Sequence, residues 1–407
     1  MKATAGYLTY VVVMAPLLNS VSGIAIDLFA PSMPAIAREF GASTAQLQGS
    51  ITLTLLAYAA GQLFFGLLAD GKGRRVALLP GLLVFVLGSL LAMLAHGLAL
   101  FLAGRMLQGF AVGACQVCAR ALLVDTVQGE RFASAVVYLS LAWGLGPVLA
   151  PFIGGLVDQA LGWRWNFALY AAYGATLLLL SLGLRESLAP AQRKSLGDSL
   201  RGYRLILGNA RFLSATLVLG TSLSLFLVWN VIGPFVIEHA LGRGAAFFGI
   251  TALAAGSAYL AGTLLNRVLL ARAGAPRLIG TGLACTAAGT LAMLALPRSL
   301  HVPTLLAGVL LVNFGQGLLF ANVVAINMRL YPDRAGATAS LLGCAMMLCA
   351  GVSTEVTGQL PLVANWVIAA LFAALALLQG VGVRFVLRPA LSHEVNDHDR
   401  TAVARRP

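Results

Sequence analysis

The chain of 407 residues is 59% hydrophobic and only 10% charged, with a mean hydropathy of +0.89. A soluble chain is roughly a quarter charged and close to half apolar, so a soluble enzyme, a disordered protein and a secreted disulfide scaffold are excluded. The formal net charge of +13 belongs in short loops that set membrane topology, not on a nucleic-acid surface.

A membrane helix needs about 20 apolar residues, and the apolar content suffices for roughly twelve of them. In chain order, apolar runs bounded by charge or turn signals fall near residues 8–36, 44–69, 76–96, 98–122, 133–157 and 163–184. A polar stretch from Arg185 to Arg211 follows, and six more runs lie near 212–238, 246–270, 277–297, 303–328, 336–360 and 365–387. Met1 to Tyr7 lead into the first run without a small-residue cleavage pattern, so that run is expected to be a span and not a signal peptide. No strand-period alternation of barrel length is present. The expected fold is an all-α membrane protein of twelve transmembrane helices in two six-helix bundles.

The expected divisions are an N-terminal bundle over 1–188, a linker over 189–210, a C-terminal bundle over 211–390 and a polar tail over 391–407. In the linker Leu196, Leu200, Tyr203 and Leu207 recur at helical spacing opposite Asp198, Arg201 and Arg204, which predicts a short helix lying in the interface. Gly66-Leu-Leu-Ala-Asp70 before a basic turn is echoed by Gly262-Thr-Leu-Leu-Asn266 before Arg267. Parallel repeats with a site between them are a transporter architecture. With both termini on the cytoplasmic side, 22 of the 27 Lys and Arg fall in inner segments and four (Arg38, Arg164, Arg243, Arg298) in outer loops. That asymmetry predicts cytoplasmic termini.

Charge at mid-membrane costs about 2.5–3.5 kcal/mol even on the lenient insertion scale, so Asp27, Arg105 and Glu355 each require a reason. Asp27 and Arg105 sit at matching depth, roughly 10–14 Å below the outer surface by helical rise, where they can share charge or exchange partners. Pro31 and Pro34 follow Asp27 and place it where a helix can bend. Glu355, near the outer end of the eleventh run, is a candidate second proton site or a side chain reaching the interface. Tyr58, Gln62, Gln108, Gln116, Asn230, Asn313, Gln316, Asn322 and Asn327 are candidate cavity-lining polar groups, and Trp143, Trp229, Phe226 and Phe320 candidate apolar walls. Helix–helix hydrogen bonding is the competing role for the amides.

The five cysteines lie inside apolar runs, and Cys115 and Cys118 lack the second pair or histidine that would complete a metal or redox site. Gly71-Lys72-Gly73-Arg74-Arg75 lacks the Gly-Lys-Ser/Thr of a phosphate loop and follows no strand. No cofactor and no metal are expected. Energy for transport then has to come from an ion gradient.

The stretch Gly66-Leu-Leu-Ala-Asp70-Gly71-Lys72-Gly73-Arg74-Arg75 resembles the signature between the second and third helices of the major facilitator superfamily. In that resemblance Gly66, Asp70, Gly73, Arg74 and Arg75 clamp helix ends on the inner face and gate the change of state; Gly71 stands where a base is common. Arg105-Met-Leu-Gln108-Gly109 resembles the fourth-helix motif associated with proton coupling. Gly146-x-x-x-Ala150-Pro151-x-x-Gly154-Gly155 resembles the fifth-helix antiporter motif, with Ala150 in place of the usual Gly. Ile26-Asp27-Leu28-Phe29-Ala30-Pro31-Ser32-Met33-Pro34, with Gly162-Trp163-Arg164-Trp165, is similar to the Bcr/CflA-type (bicyclomycin/chloramphenicol resistance) drug:proton antiporters.

The resemblance implies a secondary transporter, not an enzyme, that exports small amphipathic compounds across the bacterial inner membrane in exchange for protons. Its implied partners are a small-molecule substrate, protons and the lipid bilayer, with no nucleic acid and a monomeric state. Asp27 is the implied proton-responsive carboxylate and Arg105 its electrostatic partner. Export of a self-made siderophore or metallophore, proton-coupled nutrient import and a non-transporting membrane receptor are the alternatives.

Overall fold

Helices dominate because apolar runs in a membrane must satisfy their backbone groups internally. The computed structural model describes residues 5–128, 130–189, 193, 195–294, 300–331, 335–360 and 364–403. The first half comprises α1 (Ala5–Asp27), a 3-10 turn (Ala30–Ser32), α2 (Met33–Phe40), α3 (Thr44–Lys72), α4 (Arg74–Met93), α5 (Leu98–Thr126), α6 (Glu130–Leu161) and α7 (Arg164–Ser181). A short α8 (Leu196–Leu207) links it to α9 (Ala210–Leu241), α10 (Ala245–Ala273), α11 (Ala275–Met293), α12 (Val302–Met328), α13 (Ala335–Gly358) and α14 (Asn365–Val403). No strand occurs among the described residues.

Ten of these segments are long and apolar enough to cross a membrane, α1 and α2 counting as one. The shorter α7 and α11 complete the twelve, each packed within its half, α7 on α4 and α11 on α12 and α14. An even number of spans returns the chain to the end where it started, here called the terminal end; the opposite end is the far end. The first apolar run is not one continuous helix: it breaks after Asp27 and resumes at Met33. At the other extreme α14 continues past the apolar run to Val403, through a stretch without Gly or Pro after Ala390.

Boundaries follow local chemistry. Ser43 and Gln46 form a reciprocal capping box at the start of α3. At the α3–α4 turn Gly73 has φ +127°, which a side chain rarely adopts. Glycines also set how close helices pack. A β-carbon on Gly109 of α5 would fall on the Thr54 carbonyl of α3, and one on Gly317 of α12 on the Tyr259 carbonyl of α10. Small residues at such crossings supply the van der Waals contact that holds helices together where water gives no driving force.

The halves meet along two helix pairs, α3 with α13 and α6 with α10. Counted by span, these are second with eleventh and fifth with eighth, a reciprocal arrangement that follows from two similar bundles. In α8, Ser199, Gly202 and Ile206 are buried against the protein, whereas Leu196, Leu200 and Leu207 face outward.

Candidate functional site: a cavity between the halves

At the break after α1 the Ile24 carbonyl still accepts from the Leu28 amide at 3.1 Å, and buried side chains from two neighbouring helices reach the carbonyls of this last turn. The Tyr170 hydroxyl of α7 reaches the carbonyls of Ile24 and Ala25 at 3.1 and 3.2 Å. Arg105 of α5 donates from Nη2 to the Ala25 carbonyl at 3.0 Å and from Nη1 to Gln108 Oε1 at 2.6 Å. Gln108 in turn donates to Ser89 Oγ at 2.7 Å. The fully buried guanidinium also stacks 4.0 Å from the Phe29 ring centre, a cation–π contact. A cation at a helix C-terminus meets the negative end of its dipole. Arg105 therefore caps α1 two residues before Asp27, and the two are not joined in an ion pair.

Asp27 is 2% exposed and finds its partner in the other half: Asn230 Nδ2 of α9 donates to Asp27 Oδ1 at 2.6 Å. Toward the far end the halves are joined again. Arg38 of α2 pairs with Glu238 of α9, and Gln48 Nε2 of α3 donates to the Val231 carbonyl at 3.1 Å. The hydroxyls of Thr52 and Thr354 lie 3.0 Å apart across α3 and α13. A β-carbon on Gly155 would lie 2.5 Å from the Ala245 carbonyl oxygen, and one on Gly249 2.9 Å from that of Pro151. A β-carbon on Gly154 would fall on the Leu28 carbonyl, in the break itself. The Pro151–Gly155 stretch thus presses the bent end of α1 on one side and α10 on the other.

On the terminal side of this seam, at mid-depth, lies a cavity of about 680 Å³ counted together with the solvent space into which it opens. Its polar groups are Asp27 and Ser22 of α1, Ser222 of α9, Tyr259 of α10 and Gln316 of α12. Leu223, Phe226, Leu227, Phe320 and Met347 give it apolar walls, the usual form of a small-molecule site. Gln316 is held from behind. Its Nε2 donates to Thr286 Oγ1 at 2.7 Å, its Oε1 accepts from Gln379 Nε2 of α14 at 2.9 Å, and Gln379 also bonds Ser222 Oγ at 2.8 Å.

At the terminal end the basic turn makes a second cluster. Arg74 Nη1 bonds Asp70 at 2.6 Å and Arg74 Nε bonds Asp125 of α5 at 3.0 Å. The Glu186 carboxylate, just beyond α7, accepts from the backbone amides of Arg74 and Arg75 at 2.8 and 3.1 Å. An anion at a helix N-terminus meets unsatisfied amides and the positive dipole end. Arg75 reaches the Leu182 carbonyl at 3.1 Å. This cluster binds α3, α4, α5 and the end of α7 to one another.

The sequence profile of the major facilitator superfamily matches residues 17–354. The chain belongs to this superfamily. It is 36% identical over 233 residues to the multidrug resistance protein MdtL of Escherichia coli O45:K1 and, at the same identity, to that of Escherichia fergusonii. The matched stretch is 57% of this chain and 59% of the length of those relatives. Among solved structures it is similar to the D-xylose–proton symporter, with TM-score 0.73, 15% identity, and 94% and 98% of the two chains covered. It is also similar to the xylose transporter XylE of E. coli in a partially occluded inward open conformation, with TM-score 0.71, 13% identity and coverage of 92% and 97%. These likenesses show the major facilitator fold.

Within this superfamily fold the residues singled out from sequence separate into groups. Asp27 and Gln316 line the cavity, Asn230 bonds Asp27 without lining it, and Gln108 supports Arg105. Tyr58 is buried beside Ser22, while Gln62 bonds Gln116 at 2.8 Å between α3 and α5. Asn322 bonds Asn266 at 2.7 Å, and Asn313 donates to the Val309 carbonyl of its own helix at 2.9 Å; neither lines the cavity. Glu355 is exposed, on the outer side of α13, and accepts from Gln359 at 3.1 Å. The Trp143 side chain lies outside the described residues. Trp163 and Arg164 both bind Glu39, tying α7 to the end of α2. Sequence reasoning passed over Ser22, Ser222, Tyr259 and Gln379, which look like ordinary helix residues. It also passed over Asp125 and Glu186, whose value comes only from facing Arg74 and its amides.

Proposed function

We propose that this transporter is a proton-coupled antiporter that exports small amphipathic compounds across a bacterial inner membrane, with both termini cytoplasmic. The Asp27–Asn230 hydrogen bond carries the reading. It joins an ionisable carboxylate to the opposite half, at the roof of an apolar cavity and beside the break in α1. The name of the 36% identical relatives and the excess of Lys and Arg in segments at the terminal end support export from the cytoplasm.

In this reading the structure represents the stage with the far end shut and the cavity on the cytoplasmic side. Deprotonated Asp27 accepts a charge-assisted bond from Asn230. Substrate enters, the halves rock, and the seam formed by Arg38, Glu238, Gly155 and Ala245 opens. Substrate leaves, an external proton neutralises Asp27, and the protonated carrier returns and releases that proton on the cytoplasmic side. Proton and substrate drive the cycle only through their differential affinity for the two states. Arg105 holds the bend in α1 so that Asp27 keeps its place, and the Asp70–Arg74–Asp125 cluster moves with the first half as a rigid clamp. The protein works as a monomer, since each half supplies one wall of the cavity.

The test is transport by purified protein in liposomes under an imposed proton gradient. Wild type concentrates substrate against its gradient and Asp27→Asn only equilibrates it. Concentrative transport by Asp27→Asn overturns the proposal.

A further inference from the structure

One basic side chain within the spans has no part in the arrangement so far. Arg120 of α5 is half-buried, about 9 Å by helical rise from the end of its helix, and among the described residues neither a hydrogen bond nor an ion pair reaches it. Arg120 stands one helical turn past Gln116, and Tyr58 of α3, with its hydroxyl, one turn before Gln62, the amide bonded to Gln116 across the two helices at 2.8 Å. Tyr58 is 1% exposed and that hydroxyl makes no hydrogen bond. Its polar neighbours donate elsewhere: Ser22 to the Asn19 carbonyl at 2.6 Å and Gln62 to Gln116 at 2.8 Å. Ser22 itself lines the cavity.

Both unmet groups can donate. A guanidinium offers five N–H donors and no acceptor, and a phenol one O–H donor besides its acceptor oxygen. Two unpaired donors on two packed helices, one of them a cation within the spans, call for an acceptor with negative charge. Leaving a charge unpaired at this depth is costly, and no carboxylate of the described chain meets it. Arg105 does not share the role: it is fully buried, stacked on Phe29, and both its terminal nitrogens are bonded, to Gln108 and Ala25. Arg120 also stands nearer the terminal end than the cavity, with Tyr58 between them in depth.

We infer that Arg120 and Tyr58 form an anion-recognition site on the terminal-side approach to the cavity, and that the transported amphipaths include carboxylates. The anionic group pairs with Arg120, Tyr58 adds a second donor deeper in, and the apolar body extends toward Phe226 and Phe320. This rests on the exporter reading for the direction of transport but not for binding.

The experiment is equilibrium binding of 2-naphthoate and 2-naphthamide to the purified full-length chain. The two probes share an apolar body and differ in charge. Wild type is expected to prefer naphthoate by about tenfold or more, the strength of a charge-assisted contact. Arg120→Gln is expected to abolish that preference through lost naphthoate binding, while naphthamide affinity stays within about twofold. Arg120→Lys retains part of the preference and shows that the fold tolerates change at this position. Equal wild-type affinities, including no measurable binding of either probe, overturn the inference, as does an Arg120→Gln variant that weakens both alike. A naphthoate preference combined with concentrative transport by Asp27→Asn removes the coupling proposal and leaves this one standing.

Discussion

Asn230 donates to Asp27 across the two halves at 2.6 Å, one hydrogen bond between a side chain at the end of α1 and another deep in α9. Both residues are 2% exposed, so neither exchanges this bond for water. In the proposed cycle, opening of the far seam breaks it.

Asn230→Leu removes that tie without adding charge. We expect the far end to open more often, read as a longer-distance population between spin labels on Trp165 and Leu241, both exposed. Losing one bond to a charged acceptor is worth about 1.5–3 kcal/mol. The population should therefore change by about tenfold or more. An unchanged distance distribution contradicts this role.

Arg38 and Glu238 pair at an exposed position, with side chains 65% and 32% accessible. Such pairs contribute about 0–1 kcal/mol, so Arg38→Glu should leave the melting temperature nearly unaltered. Two facing carboxylates should nonetheless bias the protein toward far-side opening. The exchange Arg38→Glu with Glu238→Arg should restore the original balance, and a double variant no different from Arg38→Glu would show that the pair does not latch the halves.

Gly154 and Gly155 are adjacent, yet their substitutions should behave differently. A β-carbon on Gly154 strikes Leu28 inside the first half, whereas one on Gly155 strikes Ala245 in the second. Overpacking costs about 1–3 kcal/mol. Gly154→Ala should therefore lower thermal stability. Gly155→Ala should keep stability closer to wild type, because the halves can separate to relieve the clash, and should lose transport. Equal melting temperatures for the two variants would contradict this division.

Gln379 supports Gln316 and Ser222 from behind the cavity wall. Gln379→Leu leaves both without that partner, at about 1–3 kcal/mol for an unsatisfied buried group. Thermal stability should fall, and substrate affinity should fall although position 379 lines no part of the cavity. Affinity equal to wild type would show that Gln316 holds its orientation unaided.

The spans, the two bundles and the superfamily were legible because they rest on local quantities. Hydropathy over a helix length, the basic turns and the spacing of glycines are all read along the chain. Asp27 and Arg105 stood out for the same reason: a charge inside an apolar run is a local anomaly. The matching depth of those two residues suggested partnership, but depth says nothing about direction around a helix axis. The fold turns Arg105 onto the open end of α1 and Asp27 onto Asn230. Asn322 and Gln316 likewise share one helix and one functional group, the carboxamide, and only packing sends Gln316 to the cavity and Asn322 to Asn266. Sequence by itself determined which residues are out of place in lipid. Tertiary structure decided which of them meet, because partners from different helices are chosen by rotation and register, and neither leaves a trace in local composition.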